Sequence, residues 1–247
     1  MFSYSTLSPT QCEQFTQFAT FLRLENQSYN LTRITDTEQI YVRHFADSLE
    51  PLSKLDRHLG TCPAPRVLDI GSGAGLPGLA LAIARPSWQI VSMEATQKKV
   101  HFQKKAATLL RLTNVEPVHG RAEDLAHDPG YRQQFDTVLA RAVAQLRILA
   151  EITAGFIKPG GHMIALKGPN IEQELKEAES TLKCLNLALS EVIPYTLSDL
   201  SLKANLTLTE DDATLNLVVL TKNGATPSCY PRAYGVIKKG PPTTNPH

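Results

Sequence analysis

Asp69, Gly71, Gly73, Gly75 and Gly78 share one short stretch, and Glu94 closes the next apolar run. Two carboxylates around a glycine-dense loop are the parts of a nucleoside site. Glycines lack Cβ, so a ligand can approach the backbone closely. Gly73, Gly75 and Gly78 satisfy G-x-G-x-x-G, a dinucleotide pattern that is weak when it stands alone. The acids separate the ligand classes. Asp69 puts a carboxylate where a pyrophosphate would be repelled and a cationic ligand attracted. Glu94 stands where an acid can bind the two hydroxyls of a ribose. The competing reading of Glu94 is a cap for the next helix, near Thr96 and Gln97.

These residues need a strand, a tight turn and a helix start to hold them. Val67, Leu68 and Ile70 form a short apolar run ending in glycines, the pattern of a buried parallel strand. Pro77 suits a first helical turn, where its missing N–H costs nothing. S-adenosylmethionine carries an ammonium and a sulfonium and no phosphate. The stretch resembles the first motif of class I methyltransferases. An NAD-type oxidoreductase is the rival reading, and binding of NADH against binding of the methyl donor separates the two.

The remaining pattern alternates. Strands are expected at Gln89 to Met93, Val115 to Val118, Phe135 to Ala140 and His162 to Leu166, with helices between. Lys158-Pro159-Gly160-Gly161 reads as a turn before the fifth strand. A closing hairpin is expected near Glu191 to Thr196 and Leu215 to Thr221, with Asp211 and Asp212 in its connection. The fold class is α/β: a mostly parallel seven-stranded sheet with an antiparallel edge strand. Ahead of it, residues 10 to 28 read as one helix, and Asp36 with Gln39 opens a second running through Ser48. The expected organisation is a helical extension over 1–60, a donor-binding domain over 61–223 and a basic Pro-rich tail over 224–247.

The formal net charge is +1 over 247 residues, so a polyanion would need a local patch. No Lys or Arg precedes Arg23, against a basic secretory leader, and no apolar run approaches a membrane span. Cys12, Cys62, Cys184 and Cys229 are far apart and read as reduced, which suits the cytoplasm. No Asp or Glu follows Ala213, while Arg232, Lys238 and Lys239 interleave with Tyr230 and Tyr234. Such a segment reads equally as a solvated tail or as an extended arm for an RNA backbone.

Several motifs line up with one family. Asn30-Leu31-Thr32, Arg43-His44-Phe45-Ala46-Asp47-Ser48, Gly71 to Gly78, Arg141-Ala142-Val143-Ala144, Ala165-Leu166-Lys167-Gly168 and Tyr230-Pro231-Arg232 resemble RsmG, also called GidB. The resemblance spans nearly the whole chain. It implies methylation of N7 of a guanosine in the helix 18 loop of 16S ribosomal RNA, near the decoding site, by a monomer using S-adenosylmethionine. It implies a donor site of Asp69, Gly71, Gly73, Gly75, Leu76, Glu94, Ala95, Thr96, Ala122, Glu123 and Arg141. Arg141, Lys167 and His44 are expected to position the reactants. Asn30, Arg33, Lys167, Arg232, Lys238 and Lys239 are expected to meet RNA. Two departures stand out: Glu94 replaces the Asp of many members, and His127 to Arg132 lengthens the loop before the fourth strand.

The chemistry agrees with what is absent. N7 of guanine has an in-plane lone pair and no proton to lose, so alignment matters more than a base. Exocyclic-amine enzymes typically carry Asn/Asp-Pro-Pro-aromatic after the fourth strand; here that position reads Ala140-Arg141-Ala142-Val143. Cytosine C5 enzymes need a cysteine nucleophile, and none lies at the end of the fourth or fifth strand.

Overall fold

The computed structural model describes residue 4 and residues 6–60, 62–206 and 214–242. Asp211, Asp212 and the last five residues of the expected tail lie outside the described residues. Seven strands form one sheet: β1 (Arg66–Ile70), β2 (Gln89–Glu94), β3 (Val115–His119), β4 (Phe135–Arg141), β5 (Ile157–Lys167), β6 (Leu187–Tyr195) and β7 (Leu215–Lys222). Their order is β3-β2-β1-β4-β5-β7-β6. The first five strands pair in parallel, while β7 runs antiparallel to both β5 and β6. The reversed strand was expected at the edge; it lies one place in. The β5–α9–β6 crossover keeps β6 parallel to β5 and leaves a gap, which β7 fills by turning back between them. The expected Pro-Gly-Gly turn is absorbed into β5, where the register against β4 shifts.

Helices cover both faces: α5 (Gly78–Ala84), α6 (Gln97–Leu109), α7 (Ala122–Leu125), α8 (Leu146–Ala154), α9 (Ile171–Cys184), α10 (Leu197–Lys203) and α11 (Tyr234–Lys239). Side chains of a strand alternate between faces, which divides the core in two. Val67, Leu139, Ile164, Leu217 and Val219 face the layer of α5, α6 and α10. Leu68, Val138, Met163, Val218 and Leu220 face α8 and α9.

The N-terminal helices belong to the first of these layers. They are α1 (Pro9–Tyr29), α2 (Thr37–Ile40), a π-helical segment (Tyr41–Ala46), α3 (Asp47–Leu49) and α4 (Leu52–Leu59). Ser8 and Gln11 form the capping box that starts α1, and Asp36 caps α2 by accepting from the Gln39 N–H. Phe18 stacks on Phe45 at 5.1 Å between ring centroids, Phe15 packs tilted against the same ring at 5.0 Å, and Phe21 stacks on Phe102 of α6 at 5.3 Å. The expected unbroken second helix instead loosens into π geometry at Tyr41–Ala46. Phe45 and Val42 are both wholly buried, and the wider turn satisfies both burials.

The chain after β7 also packs. The Arg132 guanidinium donates to the carbonyls of Thr226, Pro227 and Tyr230, and His127 Nε2 lies 2.8 Å from the Pro231 carbonyl. Tyr230 and Ile237 are buried. Residues 224–242 could not have been read as packed from composition, because their partners lie about a hundred positions away.

Candidate active site

One side of the site is built from neighbours in sequence. Gly71, Gly73 and Gly75 all have positive φ, at 67°, 56° and 81°. A Cβ on Gly71 would meet Val143 at 2.7 Å, and one on Gly75 would meet Leu79 at 2.4 Å. A Cβ on Gly73 would meet no heavy atom nearer than 4.0 Å, so that glycine faces open space. Asp69 is completely buried beneath the loop. Its Oδ2 accepts from the Gly78 N–H at 2.7 Å, at the start of α5, and its Oδ1 has no partner. Burial pushes the Asp69 carboxyl up to about 7, partly offset by the Gly78 hydrogen bond and Arg141.

Glu94 acts as a clip. Its Oε2 accepts from the Gly73 N–H at 3.0 Å and its Oε1 from the Thr96 N–H at 2.8 Å. The bond to the Thr96 N–H agrees with the helix-cap reading of this acid, and the bond to the Gly73 N–H ties it to the glycine loop. Gln103 locks the loop from below, donating to Ser72 Oγ at 2.8 Å and to the Gly73 carbonyl at 2.9 Å. A cavity of about 140 Å³ opens at the ends of β1 and β2, lined by Gly71, Glu94, Ala95, Ala122, Glu123 and Val143 among others. Leu76 turns its side chain into the core beside the N-terminal helices, so only its backbone is left to face the loop side.

The other side is assembled from distant segments. A cavity of about 430 Å³ lies at the ends of β4 and β5, lined by Ile34, Arg43, His44, Asp47, Arg141, Ala142, Lys167 and Tyr195 with four further residues. Arg141 Nη1 donates to Asp47 Oδ2 at 2.9 Å and to the carbonyls of Arg43 and His44 at 3.2 and 3.3 Å. Its fork thus holds the π-helical segment against the sheet. Tyr195 donates to the other oxygen of Asp47 at 2.7 Å. Burial, reinforced by Asp47, raises the Tyr195 phenol far above its ordinary value. Asp47 is buried and forms an ion pair with Arg141, 94 positions away in the sequence.

His44 Nε2 lies 2.7 Å from Thr32 Oγ1, and its Nδ1 3.2 Å from the Arg43 carbonyl. Burial and the nearby Arg141 lower the imidazole to about 4, so it is neutral near pH 7. A carbonyl can only accept, which assigns the proton to Nδ1 and lets the Thr32 hydroxyl donate to Nε2. Lys167 donates to the Ala144 carbonyl at 2.9 Å and pairs with Glu174 at 2.7 Å; Glu174 also accepts from the Leu146 N–H. These bonds secure the loop after β4. In that loop Ala142 has φ 55°, an uncommon conformation for a residue with a Cβ. Ala142 lines the larger cavity and Val143 the smaller, so this loop is the wall between them.

The residues expected to meet RNA separate into two groups. Asn30, the left-handed cap of α1, and Arg33 are both exposed in the connection from α1 to α2 and line neither cavity; Asn30 faces a separate surface hollow with Arg23, Asn26 and Thr35. Lys238 and Lys239 are exposed on α11, whose Tyr234 lines the smaller one. Arg232 is already engaged: it pairs with Glu151, which is wholly buried, at 2.7 Å.

Comparison with known proteins supplies the deciding observation. The GidB family model, described as rRNA small subunit methyltransferase G, matches residues 11–199. The chain belongs to this family. The ribosomal RNA small subunit methyltransferase G of Brevibacillus brevis is 39% identical over 96% of this chain and 93% of that protein. The namesake from Clostridium beijerinckii is 35% identical over 95% and 92%. Among solved structures, a 16S rRNA (adenine(1408)-N(1))-methyltransferase mutant from Catenulisporales acidiphilia aligns with a TM-score of 0.52 at 13% identity, covering 70% of this chain and 94% of its own. A sarcosine dimethylglycine methyltransferase from Galdieria sulphuraria aligns with a TM-score of 0.53 at 12% identity, covering 76% and 88%. Both likenesses concern the fold.

In this member of the family, sequence reasoning missed Gln103, Tyr195 and Glu174, and it named Thr32 and Tyr234 only within longer motifs, without the contacts the structure gives them. Gln103 sits on the buried side of α6, and a glutamine there among apolar neighbours is a usable signal. The others act through partners on different elements, and no local pattern marks them. Among the described residues, no helix is long and apolar enough to cross a membrane, and no cluster of three or more His, Cys, Asp or Glu could hold a metal.

Proposed function

We propose that the chain uses S-adenosylmethionine to methylate N7 of a guanosine in the helix 18 loop of 16S rRNA, acting as a monomer in the cytoplasm on the small subunit or its RNA. One observation carries the reading: the polar groups around the larger cavity are already engaged with one another. Both ring nitrogens of His44, both carboxylate oxygens of Asp47 and the Tyr195 hydroxyl have partners, and Lys167 is bonded twice. Such a wall can shape and align a nucleophile but is poorly placed to take its proton. Guanine N7 needs none taken.

Three features suit the donor: the unpartnered Oδ1 of Asp69, the open space before Gly73, and the acid of Glu94 at the mouth of the smaller cavity. When bound, S-adenosylmethionine supplies a methyl group made electrophilic by its sulfonium. Gly71, Gly73 and Gly75 admit the methionine part, Asp69 offers its unpartnered Oδ1 below the loop, and Glu94 with Ala95 and Thr96 meets the ribose. Ala122 and Glu123 flank the base.

Arg141 stands between the two sites. No hydrogen bond among the described residues engages its Nε or Nη2, so one edge of the fork can reach a base acceptor such as guanine O6. Lys167 and His44 hold the rim in shape. Asn30, Arg33, Lys238 and Lys239 are left to meet phosphate. The test is methyl transfer from labelled donor to small subunits lacking the modification, followed by mapping. Label at N7 of one helix 18 guanosine is expected; label on another atom or another helix overturns the assignment.

A further inference from the structure

The C-terminal arm does something its composition does not announce. Tyr234, at the start of α11, lines the smaller cavity together with Glu94, Gly120, Arg121, Ala122 and Glu123. It is the only aromatic ring among the residues lining that cavity. The arm that carries it is fastened on both sides. Arg232, two residues before, pairs with the wholly buried Glu151 of α8. Ile237, three residues after, is itself wholly buried, and its carbonyl accepts from Arg147 of α8 at 2.8 Å. Upstream, Arg132 and His127 bind four carbonyls of the same arm. The ring is therefore presented by a pinned segment, while Tyr234 itself stays 37% exposed.

The size of the space narrows what can occupy it. At about 140 Å³ the cavity is close to the size that accepts a single aromatic ring. Its apolar walls, Ile70, Met93, Val143 and Ile152, suit a flat heterocycle, with the acid Glu94 on the sugar side. We propose that Tyr234 is a donor-binding residue that covers the adenine ring, so that the C-terminal arm completes the nucleoside pocket of the methyltransferase domain. The inference rests on the reading of the donor as an adenine nucleoside. It also gives the long β3–β4 loop a purpose: His127 and Arg132, the two ends of its lengthened stretch, are the residues that dock the arm. The basic arm then serves the donor with its tyrosine, whatever its lysines do.

The test is calorimetric titration of wild type, Tyr234→Ala and Tyr234→Phe with S-adenosylhomocysteine and with 5′-methylthioadenosine, which keeps the adenine and lacks the amino acid. Removing a ring that stacks on a base weakens binding by roughly fivefold to a hundredfold. Tyr234→Ala is expected to show such a loss with both ligands, and Tyr234→Phe to stay within about twofold of wild type because the ring is kept. In steady state the alanine variant should raise KM for the donor and leave kcat at saturating donor, and KM for the RNA substrate, unchanged. Affinity of Tyr234→Ala within twofold of wild type overturns the proposal. So does equal loss in the phenylalanine variant, or a loss confined to RNA, which makes the ring an RNA contact. Thermal melting of each variant separates an unfolded protein from a weakened site, and Tyr234→Trp, which keeps a ring, should bind if the alanine variant does not fold. A wild type that binds neither ligand fails the donor reading itself, a result distinct from equal binding by wild type and alanine variant.

Discussion

The two halves of the site are made differently. On the donor side, Asp69, the three positive-φ glycines and Gly78 follow one another along the chain, and Glu94 is the end of the adjacent strand. On the side proposed to meet the substrate, Thr32, His44, Asp47, Arg141, Lys167 and Tyr195 come from five separate stretches, and every one is held by a partner from another stretch or by a backbone carbonyl. The first half is a local structure that tertiary packing steadies. The second exists only after the N-terminal helices dock on the sheet. A local site should fail locally when mutated, and an assembled one should take stability with it.

The strongest test of that contrast is Arg141→Ala. It leaves Asp47 buried without its countercharge and frees the π-helical segment, and breaking a buried pair costs about 3–5 kcal/mol. Urea unfolding should show that loss, and methyl transfer should fall by orders of magnitude. A variant as stable as wild type would mean that the substrate side does not depend on docking.

Glu94→Ala strikes the donor side and should cost less. It removes the acceptor of the Gly73 and Thr96 N–H groups, a loss on the order of 1–3 kcal/mol, felt in donor affinity more than in global stability. Equal losses in stability and affinity would erase the distinction between the halves.

Glycine substitutions refine it within one loop. At Gly73 a methyl group meets nothing closer than 4.0 Å, so Gly73→Ala should cost only the left-handed strain of about 1–2 kcal/mol while donor binding weakens further. At Gly75 the same methyl collides with Leu79, and the damage should be to folding. Gly73→Val, with more bulk in the open space, should abolish donor binding in a folded protein. Calorimetry on that variant with unchanged affinity would show that the donor passes elsewhere.

The smallest effect concerns pH. His44 is lowered in the folded state from 6.5 to about 4, so between those values the unfolded chain binds more protons. Its contribution to stability is full above about 6.5 and is lost as pH falls toward 4. His44→Gln should flatten the stability profile in that window. The rate–pH profile should carry no acid-side loss of rate that His44→Ala removes; such a limb would make His44 a general base.

Much of this was legible beforehand. The glycine loop, the acid at the end of β2, the Asp36 cap and the alternation of strands and helices are patterns of neighbours, and neighbours are what a sequence displays. Other details were decided by burial and by distant partners. Leu76 turns into the core, Asp47 is buried against Arg141, and Arg232 spends its charge on Glu151. Each of these side chains is polar or apolar in the expected way, but its partner is tens of positions distant.

The chain by itself determined the α/β fold, the turn that leads from β1 into α5 and the family to which it belongs, because glycine conformational freedom, hydrophobic period and motif spacing act over short range. Tertiary structure alone decided that β7 lies inside the sheet, that a π-helical segment presents two carbonyls to Arg141, and that the C-terminal arm closes on the smaller cavity. Those outcomes depend on which buried charges and backbone acceptors meet across the core, and a buried charge is tolerated only where a partner from elsewhere in the chain arrives to satisfy it.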